Sequence, residues 1–393
     1  MASSRSFRFL LKPTVRQKAS LERLLTLQCE LYNAALEERK GVWLWERRSL
    51  SYFAQSKTLT GLRDVRPEVF ECGVAVCRGT LKRLDRAFRA FYRRSKNGEA
   101  PGFPRFRSVH RFDSVQWEDT QGWRLNEQAG RIYLQGVGQV RIRLHRTVKG
   151  TPKALTVRRE GRRWWLTLRC VDVADEILAP TGRAIGVDLG IVTLIATSDG
   201  DIVVNPRFHA RSKERLASAT RELASKQPGS IRHRRAVERF KRVHRDVRNQ
   251  RADLAHQLSR RLVNRYDLIV TEELRSSKMV RRSKPPSCDD RGISISGSKG
   301  KRGLNRSIHD AGWAQLTSMI AYKAASAGRC HLVVDPSYTS QRCAECGHVA
   351  KGNRISQADF VCRACGHIAN ADVNAARNVL RAGMARRASA RAG

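Results

Sequence analysis

The sequence predicts an α/β chain of more than one domain, and three observations carry that prediction. Residues from Val74 to Phe91 keep helical spacing, whereas those from Ile132 to Cys170 alternate apolar and polar as half-buried strands do. A fresh series of strands begins after Thr181-Gly182, and two Cys-x-x-Cys pairs follow near the C-terminal end. At 393 residues with 41% hydrophobic content, the chain has enough apolar material for two or more cores.

The elements follow in order. The stretch SFRFLL reads as a strand ending at Pro13, and Thr14 with Gln17 forms a capping box for the helix behind it. Leu21, Leu24, Leu25, Tyr32, Ala35 and Leu36 continue at helical spacing, with Gly41 as the expected stop. In a second long helix Val74, Cys77, Leu81, Leu84, Phe88 and Phe91 form the apolar stripe, and Lys82, Arg86, Arg89 and Arg93 form a separate basic row. That row is either a solvated face or a phosphate-contacting one. From Gly98 the loop GEAPGFPRFRS interleaves Phe with Arg105 and Arg107, and short alternating segments run on to Cys170, with a hairpin turn near Glu160-Gly161. A small β-barrel or sheet, interrupted by the earlier helices, fits this pattern.

After Gly182 come the strand AIGVD, a second strand around Leu194 to Thr197, and a third, DIVV, closed by Pro206. Three strands with tight connections open an RNase H-like domain. A basic, amphipathic helical region from about Arg211 to Val263 is broken near Pro228-Gly229, and the strand DLIVT leads to Glu272. Arg275 to Asn305 is rich in Ser, Gly, Pro and Lys without periodicity and is expected to be mobile. A helix from about Ala311 to Ala327, the strand CHLVVD, the paired cysteines and the short helix VNAARNVLRAG complete the chain, before a basic tail expected to be disordered.

The charge narrows the function. A net charge of +40, from 76 Lys and Arg against 36 Asp and Glu, is spread along the chain and calls for a polyanion. Solubility alone needs only ~2–8 charges in a small domain. With no run of about 18 apolar residues and no signal-peptide core, the expected polyanion is nucleic acid and not a membrane; membrane attachment through the basic surface is the alternative, with no feature supporting it. Cys29, Cys72, Cys77, Cys170, Cys288 and Cys330 are scattered, which speaks for a reducing compartment instead of a disulfide framework.

The other four cysteines carry chemistry. Cys343-x-x-Cys346 stands fifteen residues before Cys362-x-x-Cys365, the zinc-ribbon spacing in which two knuckles present four thiolates to one structural Zn2+. Gly347 and Gly366 relieve the tight turn after each pair, and His348 and His367 follow a set that is already complete. Three acidic residues stand where an RNase H-like sheet would gather them: Asp188 at the end of the first strand, Glu272 after DLIVT, and Asp372 entering the last helix. Two-metal hydrolysis of a phosphodiester needs such carboxylates to hold Mg2+ or Mn2+ ions ~3.5–4 Å apart. Singly each has an ordinary reading: Asp188 as a turn residue, Glu272 as the partner of an Arg, Asp372 as a helix N-cap. Glu273 and Asp335 are the nearest competitors, and spacing alone does not separate Glu272 from Glu273.

The segments AIGVDLGIVTLIATSDG, LIVTEELRSSKM and ADVNAARN resemble the three split RuvC motifs of TnpB proteins and of the related type V CRISPR effectors, with SQRCAECGH and VCRACGH as the ribbon before the third. FRFLLKPTVRQ, GFPRFRS and SIHDAGW extend the resemblance over nearly the whole chain. It implies an RNA-guided DNA endonuclease with guide RNA and double-stranded target DNA as partners, working in the cytoplasm of a prokaryotic cell, at the nucleoid when bound to DNA. Residue by residue, Asp188, Glu272 and Asp372 match the family's catalytic metal ligands for two Mg2+ or Mn2+ ions, and Cys343, Cys346, Cys362 and Cys365 its zinc ligands.

The implied architecture is an oligonucleotide-binding-like wedge barrel over 1–12 and 98–178, interrupted by a helical recognition domain over 13–97. A RuvC domain follows over 179–336 and 370–382, with the ribbon inserted at 337–369 and the tail at 383–393. Two departures stand out. The second motif reads TEEL where a Glu-Asp pair is commoner, and Val280 to Asn305 is longer than in many relatives, as a lid or a disordered insertion. Asn374 and Arg377 are expected in helix packing or phosphate contact. Three other readings share the chemistry or the fold: a CRISPR-associated effector, a nuclease-silent RNA-guided DNA-binding protein, and a transposase.

Overall fold

The computed structural model describes residues 3–275, 279–280 and 298–392. The chain divides into two compact units, Met1–Ala174 and Asp175–Gly393.

In the first unit, β1 (Ser3–Lys12) leads into α1 (Val15–Glu46), α2 (Tyr52–Val65) and α3 (Val74–Lys96). The Thr14 hydroxyl accepts from the Gln17 backbone N–H, and the Gln17 side chain accepts from that of Thr14, completing the capping box that the sequence announces. Gly41 does not stop the helix. Its backbone stays helical, and α1 ends six residues later at Arg47, which is in the left-handed conformation with φ 52°. A glycine inside a helix costs only about 1 kcal/mol, and the helix, already nucleated by the packed turns from Leu21 to Arg39, runs on through it with Trp43, Leu44 and Trp45 exposed.

Six further strands follow: β2 (Ser114–Trp117), β3 (Trp123–Asn126), β4 (Arg131–Leu134), β5 (Gly138–Arg143), β6 (Thr151–Glu160) and β7 (Arg163–Val173). They join β1 in one antiparallel sheet of order β2-β6-β7-β1-β5-β4-β3. The first strand of the chain is therefore central, paired with β5 and β7, and the three helices are an insertion behind it. The end strands β2 and β3 do not pair, so the described ladders form an open sheet and not a closed barrel. Phe9, Leu11, Leu166 and Leu168 from the sheet share one core with Leu21, Leu25 and Leu84 from the helices. At Gly79 of α3 a Cβ would stand 2.1 Å from the carbonyl oxygen of Gln116, so only glycine lets that helix lie against β2.

The second unit is built on β8 (Ala184–Asp188), β9 (Thr193–Thr197) and β10 (Ile202–Val204), then the short α4 (Phe208–Arg211), α5 (Lys213–Ala224) and α6 (Ile231–Arg265). Beyond β11 (Leu268–Glu272) come α7 (Ser298–Ala311), α8 (Trp313–Ser326), β12 (Cys330–Val334), β13 (Asp359–Val361), β14 (Ile368–Asn370) and α9 (Ala371–Ala392). The main sheet has the order β10-β9-β8-β11-β12. β8 to β10 form an antiparallel meander, and β11 and β12 add in parallel.

Two expectations change here. Helix α7 begins at Ser298, so the last residues of the stretch expected to be aperiodic are helical; Cys288 and residues 281–297 lie outside the described residues. Helix α9 continues to Ala392 through the segment expected to be a disordered tail. Its alanines and arginines are strong helix formers, and the nucleus that a short isolated helix would lack is already supplied by the packed first turns.

Candidate active site and metal centre

Side-chain alternation decides which residues of the second unit meet. Along β8, Ile185 and Val187 point into the core formed with Leu258, Leu262, Leu316 and Ile320 of α6 and α8. On the opposite face Leu268, Val270 and Val334 pack with Val379 of α9. Gly186 and Gly383 bring that helix down onto the sheet: a Cβ on Gly186 would stand 2.1 Å from the Ala376 carbonyl oxygen, and one on Gly383 would stand 2.4 Å from Val270. With a side-chain period of two, Asp188 shares the face of Gly186, and Glu272 that of Leu268 and Val270. The β8–β11 register pairs Thr271 with Val187, so Glu272 and Asp188 are the next positions on adjacent strands.

Asp372 reaches the same place from α9. It does not cap the helix: Asn370 does, accepting the backbone N–H groups of Asp372 and Val373 at 3.0 and 3.2 Å. The Asp372 carboxylate is therefore free to accept from Arg354 Nη2 at 3.0 Å. Asp188 feels both of the other carboxylates. Burial first, then the charges of Glu272 and Asp372, push the Asp188 carboxyl up to about 7, against the opposing pull of Arg354. Burial, with a contribution from Asp335, also raises Glu272, which is 7% exposed and accepts from the Thr339 hydroxyl at 2.6 Å. Glu273 is half exposed and paired with Arg275, and Asp335 accepts from the backbone of Ser337. Both competitors are thus engaged elsewhere, although Asp335 lies close enough to Glu272 to be felt.

The four cysteines form a tighter set. Among the described residues, theirs is the group whose ligand atoms all lie within 4.8 Å of one another. Cys343 and Cys365 Sγ are 3.7 Å apart, and Cys346 and Cys362 Sγ 3.6 Å. Four thiolates ~2.3 Å from a central zinc at tetrahedral angles stand about 3.8 Å apart, so the donor set fits Zn2+. The two knuckles repeat one another. In each, the first Cys donates its N–H to the His carbonyl after the pair, and the following Gly, at φ 79° and 73°, donates back to the first Cys. The carbonyls of His348 and His367 are thus used to close the turns.

Asn374 and Asn378 of α9, both buried, fasten this ribbon to the helix, their amides donating to the Arg342 carbonyl at 2.8 and 2.7 Å. Asn374 Oδ1 also accepts from Ala344 N. Arg377 instead faces Glu345 at 3.9 Å, with both side chains exposed. The sequence reading passes over Thr339 and Arg354, for nothing in a single sequence distinguishes a Thr four residues before the first Cys or an Arg in a loop.

The basic candidates of the first unit are partly neutralised. Lys82 and Arg86 both pair with Glu118, at 3.6 and 2.8 Å, and Arg89 pairs with Asp85 at 2.7 Å. Arg93 and Arg105 are exposed and carry no ion pair among the described residues, and Arg107 lies over the Tyr32 ring at 5.5 Å.

Comparison with known proteins shows the family. Residues 169–283 match a family model described as "Probable transposase", and residues 313–379 one described as "Cas12f1-like, TNB domain". The "Putative RNA-guided DNA endonuclease InsQ" of Escherichia coli is 31% identical over 391 residues, covering 98% of this chain and 94% of that one. A "Putative RNA-guided DNA endonuclease" of Streptomyces pristinaespiralis is 32% identical, over 97% of this chain and 90% of its own. The CRISPR-associated endodeoxyribonuclease Cas12f1 of Sulfoacidibacillus thermotolerans is 53% identical over 75 residues, 19% of this chain and 18% of that one. Matched nearly end to end by the first two of these relatives, the chain belongs to the TnpB family of RNA-guided DNA endonucleases.

Proposed function

We propose that the chain cuts DNA at sites chosen by a bound guide RNA, and that its cleavage centre is Asp188, Glu272 and Asp372 on an RNase H-like, RuvC-type sheet. The observation that carries the assignment is their convergence from three separate elements, two strands and a helix, onto one face of the sheet. The elevated pKa of Asp188 is its electrostatic mark. Buried like charges are destabilising unless a cation joins them, and an all-oxygen donor set suits Mg2+ or Mn2+. Two such ions, when bound, supply an activated water and stabilise the leaving oxygen.

The chain's own residues prepare the site. β8 and β11 fix the spacing of Asp188 and Glu272, and Asn370 frees Asp372 from capping. The Cys343, Cys346, Cys362 and Cys365 cluster holds one structural zinc and, through Asn374 and Asn378, keeps the ribbon against α9. In the first unit, the seven-stranded sheet and the inserted helices serve as the wedge and recognition domains, binding guide RNA and double-stranded target DNA through exposed cations such as Arg93 and Arg105. Specificity is then delegated to base pairing.

The test is cleavage of a plasmid carrying a sequence complementary to the RNA that copurifies with the chain. Asp188→Ala, Glu272→Ala and Asp372→Ala are each expected to bind RNA and target but leave the DNA intact, while Glu273→Ala still cuts. Joined ends in place of hydrolysed ones would favour a transposase, and cutting by all three alanine variants in Mg2+ would overturn the site.

A further inference from the structure

We propose that Thr339 is a positioning residue, whose hydroxyl fixes the Glu272 carboxylate in the orientation that receives a metal ion. The proposal rests on the reading of Asp188, Glu272 and Asp372 as the metal centre.

The contact is short and buried. Thr339 Oγ1 lies 2.6 Å from Glu272 Oε1, and the two residues are 8% and 7% exposed. The same hydroxyl lies 3.0 Å from the Pro336 carbonyl. A hydroxyl has one hydrogen to give, and an ionised carboxylate is the stronger acceptor, so the proton goes to Glu272. One carboxylate oxygen is then committed, and the other remains open to a cation.

The chemistry of the donor matters. Asp372 is held by the Arg354 guanidinium, a full positive charge that competes with a cation for the same carboxylate. A hydroxyl orients Glu272 without bringing any charge into the centre. It can therefore stay bonded when metal arrives, as the partners behind metal-binding carboxylates do.

Thr339 is itself held. Its carbonyl accepts from Asn378 Nδ2 at 3.0 Å, and Asn378 is 4% exposed on α9, the helix that begins with Asp372 in its first turn. The same amide grips Arg342 beside the first zinc ligand. Thr339 thus ties the end of β11 to α9, so that Glu272 and Asp372 are referred to one another by two hydrogen bonds as well as by the packing of helix on sheet.

The experiment is a Mn2+ titration of the full-length, zinc-loaded, magnesium-free chain, read by the electron paramagnetic resonance of free Mn2+. Thr339→Val and Thr339→Ala remove the hydroxyl with and without the side-chain volume; each is expected to weaken Mn2+ binding by about tenfold or more. Thr339→Ser restores the donor and should bind like the unaltered chain. Zinc content and melting temperature should be the same in all variants that retain the effect. Glu272→Gln separates the two layers of the argument. If it leaves Mn2+ binding unchanged, the metal-centre reading itself fails. If it weakens binding while Thr339→Val and Thr339→Ala bind normally, Thr339 has no positioning role. A Thr339→Ser variant as weak as Thr339→Ala would assign the effect to packing of the methyl group and overturn the proposal.

Discussion

Asp188→Asn should make the magnesium-free chain more stable at pH 8 while destroying cleavage. The Asp188 carboxyl is displaced from its ordinary 3.8 to about 7, by burial above all and then by Glu272 and Asp372. The folded chain holds this proton more tightly than the unfolded one. The associated stabilisation is therefore present in full below about pH 4 and is lost as pH rises through about 7. Over that window it amounts to something on the order of 4 kcal/mol. At ~2–4 °C per kcal/mol for a unit of this size, the loss corresponds to roughly 10 °C in Tm. Asparagine keeps the shape and removes the charge, so at pH 8 it escapes the penalty.

The assay is differential scanning calorimetry of the zinc-loaded chain in magnesium-free buffer without chelator, at pH 5 and pH 8. The variant should melt well above the unaltered chain at pH 8 and by less than half that margin at pH 5. Adding Mg2+ at pH 8 should raise the unaltered chain more than the variant, because the ion compensates a buried charge that the variant lacks. Equal melting at pH 8, or a variant that melts lower, would refute the claim that Asp188 carries its charge at a cost there, buried beside Glu272 and Asp372.

Further expectations follow from the same geometry. Metal analysis should find about one zinc per chain, and Cys343→Ser should lose it; retention of full zinc content by that variant would remove the ribbon assignment. Arg354→Gln should tighten Mn2+ binding, because a competing charge leaves Asp372; unchanged or weaker binding would show that the guanidinium does not compete with the ion. RNA binding should weaken steeply with salt, and Arg93→Ala should reduce the slope of log K against log salt by about one. Arg86→Ala should reduce it less, since Arg86 is already paired with Glu118; equal slopes for all three proteins would argue that α3 touches no phosphate.

Much of the architecture was legible because local chemistry repeats it. The Thr14–Gln17 capping box, the strands from Ile132 to Cys170 and the two knuckles are each specified by residues a few positions apart, and each forms as read. Where the reading missed, a local rule lost to tertiary packing. Gly41 does not end α1, because the turns before it are packed and a helix already nucleated runs on through a single glycine, and the tail after Gly383 stays helical as the continuation of a packed helix. The basic row of α3 gave no hint that Glu118, about thirty residues away, takes up two of its members.

By itself, the sequence determined the candidate metal ligands and the polyanionic nature of the partner, since ligand type, ligand spacing and net charge are properties of the chain before it folds. Only tertiary structure gives Glu272 and Glu273 different surroundings. Adjacent residues on a strand face opposite ways, and it is the register of β11 against β8, with α9 seated on Gly186, that sets Glu272 beside Asp188 and leaves Glu273 to Arg275. The same holds for Thr339 and Arg354, whose roles come from elements that meet only when the ribbon is fastened to the last helix. Such contacts join residues far apart in the chain, and no pattern in sequence spacing encodes them.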